Sequence, residues 1–187
     1  INGGSVVRES TRKKVEAAIR ELRYSPNFSG QSLRTSKTGK ILVMLPSLKS
    51  FYSTLVASIE KTAKAHGYSM LICHTKSDKE AEKSYLELLK NKMADGVIFL
   101  STRLTAAEMN TLAGEYPVVQ CCEYVRGSNT GVVSVDDEAA SFEAVTALIA
   151  RGHKRISLFG AERVGTASDR EAGYRRALAS AGLPVDR

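Results

Sequence analysis

The feature that most constrains this chain is an alternation of short apolar runs with longer helical stretches, which begins after Lys40. The apolar runs are aliphatic or β-branched and predict five strands, at residues 41–45, 69–73, 96–100, 118–121 and 156–159. Helical stretches lie at residues 51–66, 78–92, 105–115, 138–151 and 168–181. Nearly continuous apolar strands that alternate with helices predict an α/β fold, with a parallel sheet covered by helices on both faces. Three helices are followed by a glycine where a left-handed cap is expected: Gly67, Gly152 and Gly182.

The first forty residues carry most of the positive charge. They hold nine Lys or Arg against three Glu, which is +6 of the chain's net +7. Such a concentration attracts the phosphate backbone of nucleic acids, although it is also compatible with a solvated helix face. A helix from a cap at Ser10 to about Arg23 is predicted, because apolar residues recur at helical spacing. These residues are Val15, Ala18, Ile19 and Leu22.

A second, short helix is predicted directly after the first. Pro26 should end the first helix and open the next, which runs through Leu33. Gly30 lies in its middle and its neighbours are polar, so this helix should be largely disordered unless it packs against a partner.

The cysteines and the two ends of the chain bear on its setting. Cys73, Cys121 and Cys122 show neither disulfide nor metal-site spacing, and the adjacent pair in a strand should point to opposite faces, which favours a reducing cytoplasm. No apolar run is long enough for a membrane span. The sequence begins without Met or a signal peptide, and its last helix is followed by no further strand. We therefore expect a piece truncated at both ends.

The loops after the strands are where an open α/β sheet binds ligands. Aromatic residues follow the first strand, hydroxyl and guanidinium groups the third, and acidic residues the fourth. An arginine, Arg170, opens the last helix, and arginine beside hydroxyl groups suits a carboxylate or vicinal hydroxyls.

Enzyme signatures were sought and are absent from the sequence. It has no glycine-rich nucleotide loop, no nucleophile elbow and no zinc-protease helix motif, so we expect neither an enzyme nor a cofactor. The acidic run Asp136, Asp137 and Glu138 has the chemistry to gather a divalent cation, but acidic residues at a helix start more often complement the helix dipole. We therefore expect no metal.

Several ordered motifs carry a resemblance over the whole length. They are residues 1–3, 11–15, 22–27, 32–35, 66–68, 94–98, 135–137 and, most specifically, 151–156 (Arg-Gly-His-Lys-Arg-Ile). The chain resembles the LacI/GalR (lactose-repressor) family of bacterial transcription regulators. The resemblance implies a helix-turn-helix head without its first two helices at residues 1–24 and a hinge helix with its linker at 25–38. It also implies the first lobe of a periplasmic-binding-protein-like core at 39–134, and the crossover and start of a second lobe at 135–187.

The resemblance implies two sets of functional residues. The hinge leucine of the family enters the minor groove, as apolar wedges do when they kink DNA. The implied DNA-binding residues are Asn27, Gln31, Ser32, Leu33 and Arg34. Gly30 and Gln31 depart from the alanine and arginine frequent in the family, which weakens the expected hinge. The implied effector-binding residues are Phe51, Tyr52, Ser101, Glu123, Val135, Thr166 and Arg170.

The resemblance predicts a DNA-binding regulator, a cytoplasmic homodimer whose partners are double-stranded operator DNA and a small effector, a sugar or a nucleoside. Effector binding would close the two lobes, shift the dimer and change the helicity of the hinge. The alternative is a sugar-binding or other small-molecule-binding α/β protein without a DNA function, for which the basic head would have no use.

Overall fold

A computed structural model of the protein describes residues 7–22, 37–160 and 166–185. The chain divides into two compact units, Ile1–Thr38 and Gly39–Arg187. The boundary follows the composition, since the basic stretch ends where the apolar strands begin.

In the first unit, helix α1 spans Glu9–Glu21. The expected cap at Ser10 is wrong, because Arg8 holds the capping position and its carbonyl accepts from the amides of Thr11 and Arg12. No side chain caps this end, and Glu9 complements the helix dipole instead. None of the helix residues is buried, so the apolar stripe of α1 meets no core within the residues described.

The second unit is built on a five-stranded parallel sheet with the strand order β2-β1-β3-β4-β5. The strands are β1 (Lys40–Leu45), β2 (Ser69–His74), β3 (Gly96–Phe99), β4 (Val118–Cys121) and β5 (Gly131–Val133). The helices are α2 (Ser50–Ala65), α3 (Lys79–Lys90), α4 (Ala106–Glu115), α5 (Asp137–Ala150) and α6 (Thr166–Ser180). The α/β fold with a parallel sheet is therefore confirmed. The glycines after α2, α5 and α6 have the positive φ angles expected of caps.

Strand β1 shows why the sheet is covered on both faces. Its successive side chains point to opposite faces, as in any strand. Leu42 and Met44 join one apolar cluster with residues of α3 and α4, while Val43 and Leu45 join another with residues of α2. All four are at most 1% exposed. This double burial explains the continuous apolar run that marks β1 in the sequence.

Helices α5 and α6 pack on each other around a smaller core. Val145, Tyr174, Ala177 and Leu178 are buried there. The Tyr174 hydroxyl donates to the carbonyl of Ile156 at 2.7 Å, which ties the segment after α5 to this pair. The pair carries the start of each helix to the same edge of the sheet as the loops after β3 and β4.

Near the end of the sheet one predicted strand is wrong and one observed strand was not predicted. Residues 156–159 are not a strand, because none of the five strands described pairs with them and Phe159 is 94% exposed. Conversely, β5 was missed. It is only three residues long, and all three residues are exposed. It therefore lacks the buried apolar run by which the other strands are recognised.

Candidate ligand-binding site

A cavity of about 670 Å³ opens at the carboxyl ends of the strands. Its wall comes from the residues after β1 and β2, the loops after β3 and β4, and the first turns of α6. The lining residues are Pro46, Tyr52, Ser77, Ser101, Thr102, Arg103, Leu104, Glu123, Tyr124, Val125, Arg126, Thr166, Ala167 and Arg170. Carboxyl ends of parallel strands meet at one edge of a sheet, so five of the seven residues in the expected effector set converge here. They are Tyr52, Ser101, Glu123, Thr166 and Arg170.

Glu123 and Ser101 form a direct link between two of these loops. The Ser101 hydroxyl donates to Oε2 of Glu123 at 2.6 Å. Tyr52 lies nearby, and its partial burial, followed by the charges of Glu123 and Cys122, raises the pKa of its phenol. Tyr52 is therefore a neutral hydroxyl and a flat ring at physiological pH, beside a carboxylate acceptor.

Arg170 lines the cavity from α6 and is held by a buried partner. Its Nε donates to Oδ1 of Asp137 at 2.7 Å, and the Asp137 side chain is only 8% exposed. The Ser141 hydroxyl also donates to the Arg170 carbonyl at 2.7 Å. The Arg170 side chain as a whole stays 58% exposed. Asp137 thus aims the arginine while leaving most of its donor surface accessible to a ligand.

A second ion pair links the loop after β4 to α6. Arg126 pairs with Asp169, and the Tyr124 hydroxyl donates to the same carboxylate at 3.4 Å. These residues were not in the expected site, although their places in the sequence gave a signal. Asp169 directly precedes Arg170, and Arg126 lies three residues after Glu123.

Two expected effector residues lie elsewhere. Phe51 is 60% exposed and packs edge-on against Tyr52, with ring centroids 5.2 Å apart, and it does not line the cavity. Val135 is 69% exposed and lines a neighbouring, smaller cavity of about 410 Å³ with Asp136 and Asp169. The expected DNA-binding residues, Asn27, Gln31, Ser32, Leu33 and Arg34, lie outside the described residues.

The cysteine pair departs from expectation. Cys122 follows the last residue of β4 and has a φ of 73°, so the strand alternation does not extend to it. The thiols of Cys121 and Cys122 therefore lie side by side with their sulfurs 3.8 Å apart, and do not point to opposite faces. Burial, with smaller contributions from neighbouring Cys121 and acidic groups, raises the pKa of the Cys122 thiol to about 11. Cys122 is therefore a protonated thiol near neutral pH.

The acidic run at the start of α5 has structural partners. Asp136 caps the helix by accepting from the amide of Ala139 at 2.9 Å, and Asp137 binds Arg170. Among the residues described, no group of three or more His, Cys, Asp or Glu side chains is arranged to hold a metal ion.

The cavity is therefore lined by a carboxylate acceptor, guanidinium donors, hydroxyl groups and an aromatic ring. A small number of such polar groups in a concave pocket at the edge of a parallel sheet is characteristic of proteins that bind small polar molecules. No helix of the described segments is long and apolar enough to cross a membrane. Fold and cavity together are those of an open α/β sheet with a polar cavity at the carboxyl ends of its strands.

Comparison with known proteins identifies the family. The family model described as periplasmic binding proteins and sugar binding domain of LacI family matches residues 38–187. The chain belongs to this family. It is similar to the HTH-type transcriptional regulator RegA of Clostridium saccharobutylicum, with 35% identity over 192 residues, which cover 100% of this chain and 57% of RegA. The chain thus spans little more than half the length of that relative.

Solved structures agree on the fold. An uncharacterized protein from Actinobacillus succinogenes superposes with a TM-score of 0.73 and 41% identity, over 79% of this chain and 56% of that chain. A periplasmic binding protein/LacI transcriptional regulator from Alkaliphilus metalliredigens, complexed with D-xylulofuranose, superposes with a TM-score of 0.70 and 26% identity. That match covers 79% of this chain and 55% of the other.

Proposed function

We propose that this chain is part of a DNA-binding transcriptional regulator of the LacI family, whose operator binding is controlled by a small effector, and that its sensor begins at about residue 39. The effector is a sugar or a nucleoside. The observation that carries this proposal is the convergence of Tyr52, Ser101, Glu123 and Arg170 on one cavity. The relative from Alkaliphilus metalliredigens supports a sugar, since it was solved with D-xylulofuranose.

The chemistry of the cavity suits a polyhydroxylated ligand. Vicinal hydroxyl groups can accept from the Arg170 guanidinium and donate to the Glu123 carboxylate, and hydrogen bonds to charged groups contribute about 1.5–3 kcal/mol each. A flat base or sugar face can pack on the Tyr52 ring. The arrangement requires no bond to be made or broken, which is why we propose a binding protein, not an enzyme, that works without a cofactor.

The DNA-binding half of the proposal comes from relatives and from the sequence. RegA is a transcriptional regulator by name, and it matches the whole of this chain, including the basic stretch. We propose that this stretch belongs to a helix-turn-helix head and hinge, that the DNA is contacted through residues 27 and 31–34, and that the protein acts in the cytoplasm as a homodimer. The described helix α1, with basic residues and no buried side chain, is compatible with that role.

Ligand-induced stabilisation tests the sensor role. Thermal unfolding of the full chain is followed with individual sugars and nucleosides, because a ligand selective for the native state at about 100 times its Kd adds about 2.7 kcal/mol of stability. Arg170→Ala should weaken binding of any hit about tenfold or more, since a charged hydrogen bond is lost. Each variant is compared with its own ligand-free baseline, which separates affinity from stability.

The matched control is Arg175→Ala. Arg175 lies on the same helix, pairs with Glu171 at 2.6 Å, and is absent from the cavity wall. Its substitution should leave the ligand shift unchanged. Absence of any hit in both ligand classes, or an Arg170→Ala variant that binds as tightly as the wild type, would contradict the proposed site.

The second candidate is a small-molecule-binding protein without a DNA function. The basic stretch and the regulator relatives favour the first. A salt titration of duplex DNA binding separates the two, because phosphate contacts make affinity fall steeply as salt rises.

A further inference from the structure

Glu82 is a buried carboxylate that does not line the cavity. It lies near the start of α3 and is only 1% exposed. Burial raises the pKa of this carboxyl group, and its hydrogen bonds oppose that rise. A carboxylate removed from water is costly unless its oxygens are bonded, and an apolar side chain would fill the same space at lower cost. The groups that hydrogen-bond to the Glu82 carboxylate therefore indicate what this buried charge does in the fold.

Within the described residues, the hydrogen-bond partners of Glu82 lie in one loop, about twenty residues away in sequence. The Thr102 hydroxyl donates to Oε2 at 2.7 Å, and the Arg103 amide donates to both oxygens, at 3.0 and 3.1 Å. Thr102 in turn accepts from the amide of Leu104 at 3.1 Å. The carboxylate thus holds three consecutive residues of the loop after β3.

This loop is a wall of the ligand cavity. Residues 101–104 all line it. Ser101, directly before the held segment, donates to Glu123 at 2.6 Å. Movement of the loop at Thr102 would therefore shift both the Ser101 hydroxyl before it and the Arg103 side chain after it.

We propose that Glu82 is a positioning residue for the ligand site, which fixes the loop at residues 101–104 in its binding conformation before the ligand arrives. The inference rests on the proposed function, since it assigns Glu82 to the same cavity. A loop ordered in advance loses less conformational freedom on binding, and this raises affinity without any contact between Glu82 and the ligand.

Glu82→Gln tests the inference with almost no change in volume. The amide keeps one acceptor but turns an NH₂ donor toward groups that already donate. The matched control is Glu80→Gln on the same helix, where an exposed carboxylate pairs with Lys83 at 3.0 Å. Thr102→Val breaks the same contact from the loop side, should Glu82→Gln fail to fold.

Two measurements on the full chain give the result. In amide hydrogen exchange, Glu82→Gln should accelerate exchange at Arg103 and Leu104 while the β1 amides keep their protection, because local opening is separable from global unfolding. For a sugar or nucleoside that binds the wild type, affinity should fall about tenfold, the size of one charge-assisted hydrogen bond. Glu80→Gln should change neither quantity, and Thr102→Val should reproduce both effects.

Other outcomes overturn the inference. Unchanged exchange at Arg103 means that Glu82 does not hold the loop. If Glu82→Gln accelerates hydrogen exchange equally at all amides and leaves the ligand affinity of the native protein unchanged, Glu82 only stabilises the fold. If no sugar or nucleoside binds the wild type, the proposed function fails by itself, and exchange at Arg103 and Leu104 alone decides whether Glu82 orders the loop.

Discussion

Replacement of Gly173 by alanine should push α6 away from α5 and withdraw Arg170 from the ligand site. A Cβ atom at this position would lie 2.1 Å from the carbonyl oxygen of Glu138 and 2.9 Å from the amide nitrogen of Phe142. Both are backbone atoms of α5, so no side-chain rotation relieves the clash. The helices must separate, and Arg170 lies one turn before Gly173 on the helix that moves.

The magnitude follows from two opposing effects. Overpacking of a well-packed core costs about 1–3 kcal/mol, and the upper end applies here because backbone meets backbone. Alanine is favoured over glycine in a helix by about 1 kcal/mol, which offsets part of that cost. Separation also loosens the packing of Tyr174, Ala177 and Leu178, whose contacts weaken steeply with distance. We expect a net loss of about 2 kcal/mol in the free energy of unfolding.

Urea unfolding of Gly173→Ala and Gly114→Ala, followed by circular dichroism, provides the assay. Gly114 lies in α4, and a Cβ atom there meets nothing within 4 Å. The control should therefore be neutral or gain up to about 1 kcal/mol. Gly173→Ala should also lose ligand affinity while Gly114→Ala keeps it. Equal stability of the two variants would refute the close approach of α5 and α6, and with it the means by which Arg170 is placed.

Three further predictions concern single side chains. Alkylation of native Cys122 by iodoacetamide, followed by mass spectrometry, should be slow at about pH 8 and speed up about tenfold per pH unit, because burial raises its pKa to about 11 and only the thiolate reacts; a rate independent of pH would contradict this. Thr105→Ala removes the capping box of α4 and should lower the free energy of unfolding by about 1 kcal/mol in urea unfolding at neutral pH. Glu108 in that box has a pKa lowered to about 2, first by its hydrogen bond from Lys79, so its stabilisation should persist above the usual carboxyl pKa and disappear as the pH falls through about 2. Unfolding of Glu108→Gln and the wild type should therefore converge in acid, and a constant difference would count against the ion pair.

Strands β1 and β3 were predictable from sequence because they are buried on both faces. In β1 and β3 the buried positions on both faces are apolar, so the apolar run in the sequence does not depend on which helix covers each face. The exposed strand β5 offers no such pattern and was missed. Residues 156–159 show the opposite error, since an apolar run becomes a strand only where another strand supplies its hydrogen bonds.

The convergence of Tyr52, Ser101 and Glu123 was predictable from the rule that loops after parallel strands meet at one edge. Arg170 lies in α6, which no described strand directly precedes, and it was expected from its chemistry and from the resemblance to the family. The residues that hold these side chains in place were not predictable from the sequence. Glu82 lies among charged helix residues, and nothing in sequence distinguishes it from exposed Glu80. Its role depends on a contact with a loop about twenty residues away, which only the packing of α3 against the sheet creates.

The loop after β4 is held in the same way as the loop after β3. Gln120 is fully buried; its amide donates to Ser128 at 2.8 Å and Thr130 at 2.6 Å, and its carbonyl accepts from the amide of Val125 at 2.8 Å. A buried amide with three satisfied bonds fixes backbone geometry, because breaking any one leaves a polar group unpaired. Gln120 therefore holds the loop that carries Glu123 in place, as Glu82 holds the loop at residues 101–104.

The cavity therefore joins two sets of polar groups held by different parts of the fold. Ser101 and Glu123 are fixed to the sheet, whereas Asp137 and Arg170 belong to the α5–α6 pair. A ligand that bonds to Glu123 and Arg170 together favours the arrangement in which the two sets face each other, by an amount equal to its difference in affinity between arrangements. Rigid walls make that difference larger, because a loop that followed the ligand would bind it equally well in both. Under the proposed function, fixed loops are thus what would allow a small polar molecule to change the equilibrium between conformations.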